Sequence, residues 1–152
     1  MECNPDEILV KALGIPRKEI DHAGNKEEVC KELEICTNSK GLVDEDPLGT
    51  QPSYIKKLKP LSDKRDDIKL MHDKKARNYL IILCPRLEEW ILKATREAGV
   101  NVEVYGLPNN ADELHKFINT KLKGFVNLIE NIKGKSRMLK TLEDFLKRKK
   151  FK

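Results

Sequence analysis

The chain has 152 residues, enough for one domain with a real core; 36% of them are charged and the formal net charge is +5. That mild basic excess permits a nucleic-acid partner without demanding one, while an aromatic content of 5% argues against a stacking platform for single strands. No apolar run reaches the length of a membrane span. Glu2 and Asp6 stand where a signal peptide would need a basic and apolar start, and the four cysteines form no C-x-x-C pair. The expectation is a cytoplasmic chain of reduced thiols, with no membrane and no zinc site.

Asn4 to Leu13 reads as a helix, with Asn4 as N-cap, Pro5 at the first helical position and Glu7 completing a capping box. Gly14 stops it. Glu19 to His22 is a short strand candidate. Asn25 to Ile35 is a second helix, with Val29, Leu33 and Ile35 or Cys36 inward. Leu42 and Val43 form a strand. Gln51 to Asp67 is weakly patterned, rich in Lys, Pro and Asp, with a short helix around Tyr54 to Leu58. Ile68 to His72 is a possible strand, and Asp73 to Arg77 a polar turn. Asn78 to Cys84 is the strongest strand signal, continuous, apolar and partly β-branched. Leu87 to Ala98 is a helix with Trp90 in its core face, and Val100 to Tyr105 an edge strand. From Asn110 onward the pattern is helical: Ala111 to Asn119, Leu122 to Ile132, and a last helix capped by Ser136.

Strands alternating with helices, then a run of helices, predict one α/β domain over 1–152. Its core would span 1–106, with a small, mostly parallel sheet flanked by helices, and 107–152 would be an α-helical extension with a basic tail.

The stretch Gly41-Leu42-Val43-Asp44-Glu45-Asp46-Pro47-Leu48-Gly49 carries the chemistry. A buried strand runs into three acids, and open α/β sheets place their sites at the C-terminal ends of strands. In an extended exit Asp44 and Asp46 would share a face, and paired hard oxygens suit Mg²⁺ or Mn²⁺. An acidic surface turn closed by Pro and Gly satisfies the same residues. Glu2, Asp6 and Glu88 also fall at predicted element junctions, although Asp6 and Glu88 equally suit helix N-termini through the dipole.

This order of motifs resembles the Toprim domain of primases, type IA topoisomerases and OLD-family nucleases. Glu2-Cys3-Asn4-Pro5-Asp6 stands for an E-G-x-x-D motif, Gly24-Asn25-Lys26 for a Gly-led helix, and Asp44-Glu45-Asp46 with Gly49 for the D-x-D. Arg86-Leu87-Glu88-Glu89 loosely matches the OLD-like S-x-E-N, and Lys133-Gly134-Lys135 its late Gly-Lys. The chain departs from the pattern in having only Met1 before its first Glu, Cys3 for the usual Gly, and Arg86 for the Ser.

The resemblance implies a Toprim/Rossmann-like fold and a Mg²⁺- or Mn²⁺-dependent nuclease acting on DNA or RNA. Asp6, Asp44, Asp46 and Glu88 would be metal ligands, Glu2 a general base or ligand, and Lys135 the group that stabilises developing charge. OLD-like nucleases commonly work with an ATPase, and this chain has no P-loop of its own, so a partner ATPase is implied. The alternative is a catalytically inactive module that binds a protein partner or nucleic acid.

Overall fold

The computed structural model describes residues 4–19, 25–61 and 63–149. Helices α1 (Asn4–Ala12) and α2 (Lys26–Ile35) lead to strand β1 (Lys40–Asp44). Then come α3 (Ser53–Lys57), the two-residue strand β2 (Lys59–Pro60), β3 (Ile68–Asp73), β4 (Asn78–Leu83) and α4 (Leu87–Glu97). The remainder is α5 (Ala111–Phe117), α6 (Leu122–Ile132) and α7 (Arg137–Lys147).

The strand order is β1-β4-β3-β2. β1 and β4 are parallel, while β4/β3 and β3/β2 are antiparallel. The mostly parallel sheet expected from the sequence is therefore corrected to a mixed one. The reason is the turn between β3 and β4: four residues can reverse a chain but cannot carry a crossover to a parallel neighbour. Asp73 closes that turn by accepting from Ala76 N–H at 3.2 Å.

β4 is central and buried on both faces, which is why it reads as a nearly continuous apolar run. Ile81 and Leu83 face a core shared with Leu42 of β1, Leu9 of α1, Trp90 of α4, Phe125 of α6 and Leu142 of α7. Leu80 and Ile82 face the opposite way, onto Val29 and Leu33 of α2 and Tyr54 of α3. The result is helix, sheet, helix, the layering of α/β domains. Residues beyond 107 share the larger core.

Two polar devices tie the layers. Asn78, fully buried, donates to the carbonyls of Leu33 (2.8 Å) and Cys36 (2.9 Å) and accepts from Ser39 N–H (2.9 Å), pinning the end of α2 to the start of β1. At the same sheet edge the Lys40 ammonium donates to the carbonyls of Phe145 (2.6 Å), Leu146 (3.0 Å) and Arg148, the orphan acceptors at the end of α7. Burial pulls the Lys40 pKa down to about 8, against the opposing pull of Asp144.

Two strand expectations are revised. Val102–Tyr105 is a 3-10 helix, because Asn101 accepts from Glu103 N–H at 3.0 Å and tightens the segment into a turn. Arg17–Glu19 is also a 3-10 turn, and the rest of the Glu19 to His22 candidate lies outside the described residues. Ile35, expected inward, is 85% exposed at the end of α2. Among the described residues, no helix is long and apolar enough to cross a membrane.

Candidate functional site

The parallel register sets Asp44 beside Leu83, so the exits of β1 and β4 lie side by side. The acidic loop stays stitched to the β4 exit: Glu45 N–H donates to Leu83 and Asp46 N–H to Pro85, both at 2.8 Å. Asp46 then turns into the left-handed region (φ 41°). Side-chain alternation holds only for extended backbone, so the shared face expected for Asp44 and Asp46 does not follow from strand geometry. The Glu45 carboxylate pairs with Lys69 of β3.

The loop is built from beneath by Lys26, a lysine only 9% exposed in the first turn of α2. Its ammonium donates to the Glu45 carbonyl (2.6 Å) and to Gln51 Oε1 (2.7 Å), while Gln51 Nε2 donates to the Asp46 (3.0 Å) and Gly49 (3.2 Å) carbonyls. The Asp46 carboxylate lies over Gly49: a Cβ there would sit 2.5 Å from Asp46 Oδ2. Asp44 is half-buried and Asp46 exposed.

α4 starts at the same edge. Arg86, which stands where the resembled motif has Ser, is committed to Glu89 (Nε to both oxygens at 3.0 Å) and to Asp112 of α5 at 3.0 Å. Glu88 is buried (4% exposed), with Oε1 3.3 Å from His115 Nδ1. Burial raises its pKa, opposed by the His115 charge and hydrogen bond. His115 is thus the partner of a buried carboxylate. The other histidine among the described residues, His72, stacks on Tyr79 with ring centroids 4.6 Å apart.

Asp6 is buried (1% exposed) in the first turn of α1. The other end of α1 meets the end of α7, where a Cβ on Gly14 would lie 2.8 Å from Lys147 Nζ. Glu2 lies outside the described residues. Lys135 is exposed and donates to Asn131 Oδ1 at 3.0 Å. Its neighbour Ser136 bonds Glu97, the last residue of α4, at 2.8 Å. Glu88 sits at the first turn of that helix, about 13 Å away along the axis. The backbone thus sets the loop of Asp44 and Asp46 beside the chain leading into α4, while the Glu88 carboxylate is buried against His115 and Lys135 lies near the far end of α4. Among the described residues, no group of three or more His, Cys, Asp or Glu is arranged to hold a metal ion.

A neighbouring feature was missed in the sequence. Arg65 and Ile68 exchange backbone hydrogen bonds (3.1 and 2.9 Å) across Asp66 and Asp67, both left-handed (φ 51° and 56°). Two left-handed residues flanked by a paired bridge form a primed turn. Asp66 receives Thr141 Oγ1 (2.6 Å), Arg137 Nε (3.0 Å) and, on its carbonyl, Trp90 Nε1 (3.0 Å). The signal available was the Asp-Asp pair before a strand, hidden because Asp-Asp is a weaker marker of such turns than Asn-Gly.

No protein-family model, curated protein or solved structure matches this chain.

Proposed function

We propose that this is a Toprim-like protein whose acidic sheet edge takes Mg²⁺ or Mn²⁺ and cleaves a phosphodiester of DNA or RNA. The observation that carries the reading is the parallel register of Asp44 with Leu83, which sets the D-x-D loop beside the start of α4 with its Glu88. The donor set is compatible with such a cation, since Mg²⁺ commonly uses only one or two carboxylates alongside water and phosphate oxygens. Asp44 and Asp46 would hold it. When bound, the cation supplies neutralisation of phosphate charge and acidification of a water. Lys26 and Gln51 keep the loop in one shape through its carbonyls, so the carboxylates are presented on a preset backbone. Asp6, Glu88 and Glu2 remain the further acids of this reading, and Lys135 a cation that would need a rearrangement to reach them.

A second reading, a non-catalytic module that binds nucleic acid or a protein partner such as an ATPase, is favoured by one specific observation. Cations already answer several carboxylates at this edge: Lys69 pairs with Glu45, and Arg86 with Glu89 and Asp112.

The deciding experiment is thermal melting with and without Mg²⁺ or Mn²⁺, on wild type and on Asp44→Ala/Asp46→Ala, beside cleavage assays on single- and double-stranded DNA and RNA. A cation that binds the native state raises its Tm by mass action. The expected result is a metal-dependent Tm rise and cleavage in wild type, both lost in the double variant. Wild type that shows neither, with candidate partners added, overturns the nuclease reading and leaves the binding module.

A further inference from the structure

We infer that the end of the sheet opposite the acidic loop, where α3 runs into β2 and β3 turns into β4, is a docking surface for the phosphate backbone of a nucleic-acid duplex. It stands apart from the metal reading, since a duplex held here by charge needs no divalent ion.

Charge along the chain comes first. Residues 52–61 and 73–78 hold Lys56, Lys57, Lys59, Lys74, Lys75 and Arg77 against a single acid, Asp73. That excess of five equals the formal excess of the whole chain, +5, so the remaining residues balance. All six cations are exposed. None of their side chains pairs with a carboxylate among the described residues.

Tertiary structure brings the two segments together. The register sets Lys59 of β2 opposite His72 of β3, one residue before Asp73, and Asp73 opposite Asn78 of β4. The Tyr54 hydroxyl of α3 donates to Asp73 Oδ2 at 2.8 Å, and Ala76 N–H donates to Asp73 Oδ1 at 3.2 Å. Lys56 and Lys57 lie within one turn of Tyr54 on α3. Both oxygens of the one acid are thus taken up in bracing α3 and the turn. The turn is also fixed from the β1 side, where Asn38 N–H donates to the Ala76 carbonyl at 3.0 Å. The cations are carried on a braced frame, and like charges held close together attract a polyanion.

Their spread selects the occupant. They sit on a helix end, a strand and a turn, which suits charges that repeat along a line. A duplex carries one negative charge per about 1.7 Å of its axis. A single strand would want free rings on which bases stack, but Tyr54 is buried, and His72 and Tyr79 stack on each other. An anionic membrane would want apolar side chains to insert, and none of the exposed large hydrophobics lies in these two segments.

The test uses the full chain in EDTA, with fluorescein-labelled DNA and RNA duplexes read by anisotropy across a salt series. The expected result is binding to one or both duplexes, with affinity falling as salt rises. Lys59→Gln/Lys74→Gln/Lys75→Gln is expected to bind at least tenfold more weakly, with a log–log salt slope smaller by about two to three, since each lost phosphate contact removes about 0.9. Lys116→Gln/Lys121→Gln/Lys123→Gln removes the same charge from exposed sites around α5 and α6 and is expected to bind as wild type does. Should the first triple variant not fold, Lys74→Gln/Lys75→Gln, confined to the exposed turn, carries the same comparison. Absence of binding to both duplexes at low salt overturns the proposal, as does equal loss in the two triple variants. So does tighter binding of single strands, of polyglutamate or of phosphatidylserine vesicles, which would assign the surface to unpaired nucleic acid, an acidic protein or a membrane. With no divalent ion present, these outcomes are independent of the metal-dependent Tm rise and cleavage that test the acidic edge.

Discussion

Asp66 shows how much one carboxylate can organise. Burial alone would favour its neutral form, yet hydrogen bonds from Thr141 and Arg137 and the charges of Arg137 and Arg65 outweigh that and hold its pKa below the ordinary value. A depressed native pKa means the contribution to stability is present above the unfolded pKa, near 4, and is lost as pH falls through the lower native value. Asp66→Asn should therefore be less stable than wild type at pH 7, and its urea midpoint should depend less on pH below about 4. Equal acid limbs for the two proteins would show that Asp66 is not ionised by its partners. The turn that presents Asp66 also anchors Trp90, so its backbone and side chain join β3, α4 and α7 at one point.

At the scale of elements, close approach of backbones decides the C-terminal half. α6 crosses the Val102–Tyr105 turn so tightly that a Cβ on Gly124 would run into the Tyr105 carbonyl oxygen. A backbone atom cannot swing aside as a side chain can, so Gly124→Ala must shift the helix or the turn. Overpacking of this kind costs about 1–3 kcal/mol, outweighing the few tenths to 1 kcal/mol that alanine would gain in a helix. The expected outcome is a lower Tm for Gly124→Ala, whereas Gly134→Ala, with open space around it, should change little. α7 follows a different logic. Met138, Leu139, Leu142 and Phe145 make its buried stripe, Ser136 caps its start by accepting from Leu139 N–H at 3.3 Å, and Lys40 receives its end. Two basic residues at its C-terminal end pair with acids one turn back, Lys147 with Glu143 and Arg148 with Asp144, while Arg137 pairs with Asp66 and Glu97 of other elements.

For the whole molecule, the larger core joins both halves of the chain: Leu42, Ile81 and Trp90 pack in the same cluster as Phe125, Leu128, Leu139 and Leu142. The division into an α/β core and a helical extension thus describes the order of elements along the chain, while burial joins them. A single shared core predicts one cooperative unfolding transition. Trp90 is the only tryptophan and sits within that core. Its fluorescence should therefore report the same urea midpoint as far-UV circular dichroism, which is dominated by the helices. An earlier dichroism transition would mean that residues beyond 107 unfold separately.

What the sequence determined by itself is local. Asn25, Asn110 and Ser136 cap helices because a side-chain oxygen can satisfy an N–H three residues on without help from elsewhere. Asn78 to Leu83 reads as a strand because the nearly continuous apolar run after Asn78 suits burial on both faces. The end of β1 at Asp44 was legible too, from the shift from apolar residues to acids. The antiparallel pairing of β3 with β4 follows from a connection of four residues and so was open to a sequence reading. Only tertiary structure decided the left-handed turn at Asp46, whose N–H reaches Pro85, and the commitment of Glu45 to Lys69 and of Glu88 to His115. Each of those depends on partners distant in sequence, and such partners are not written in the local pattern of residues.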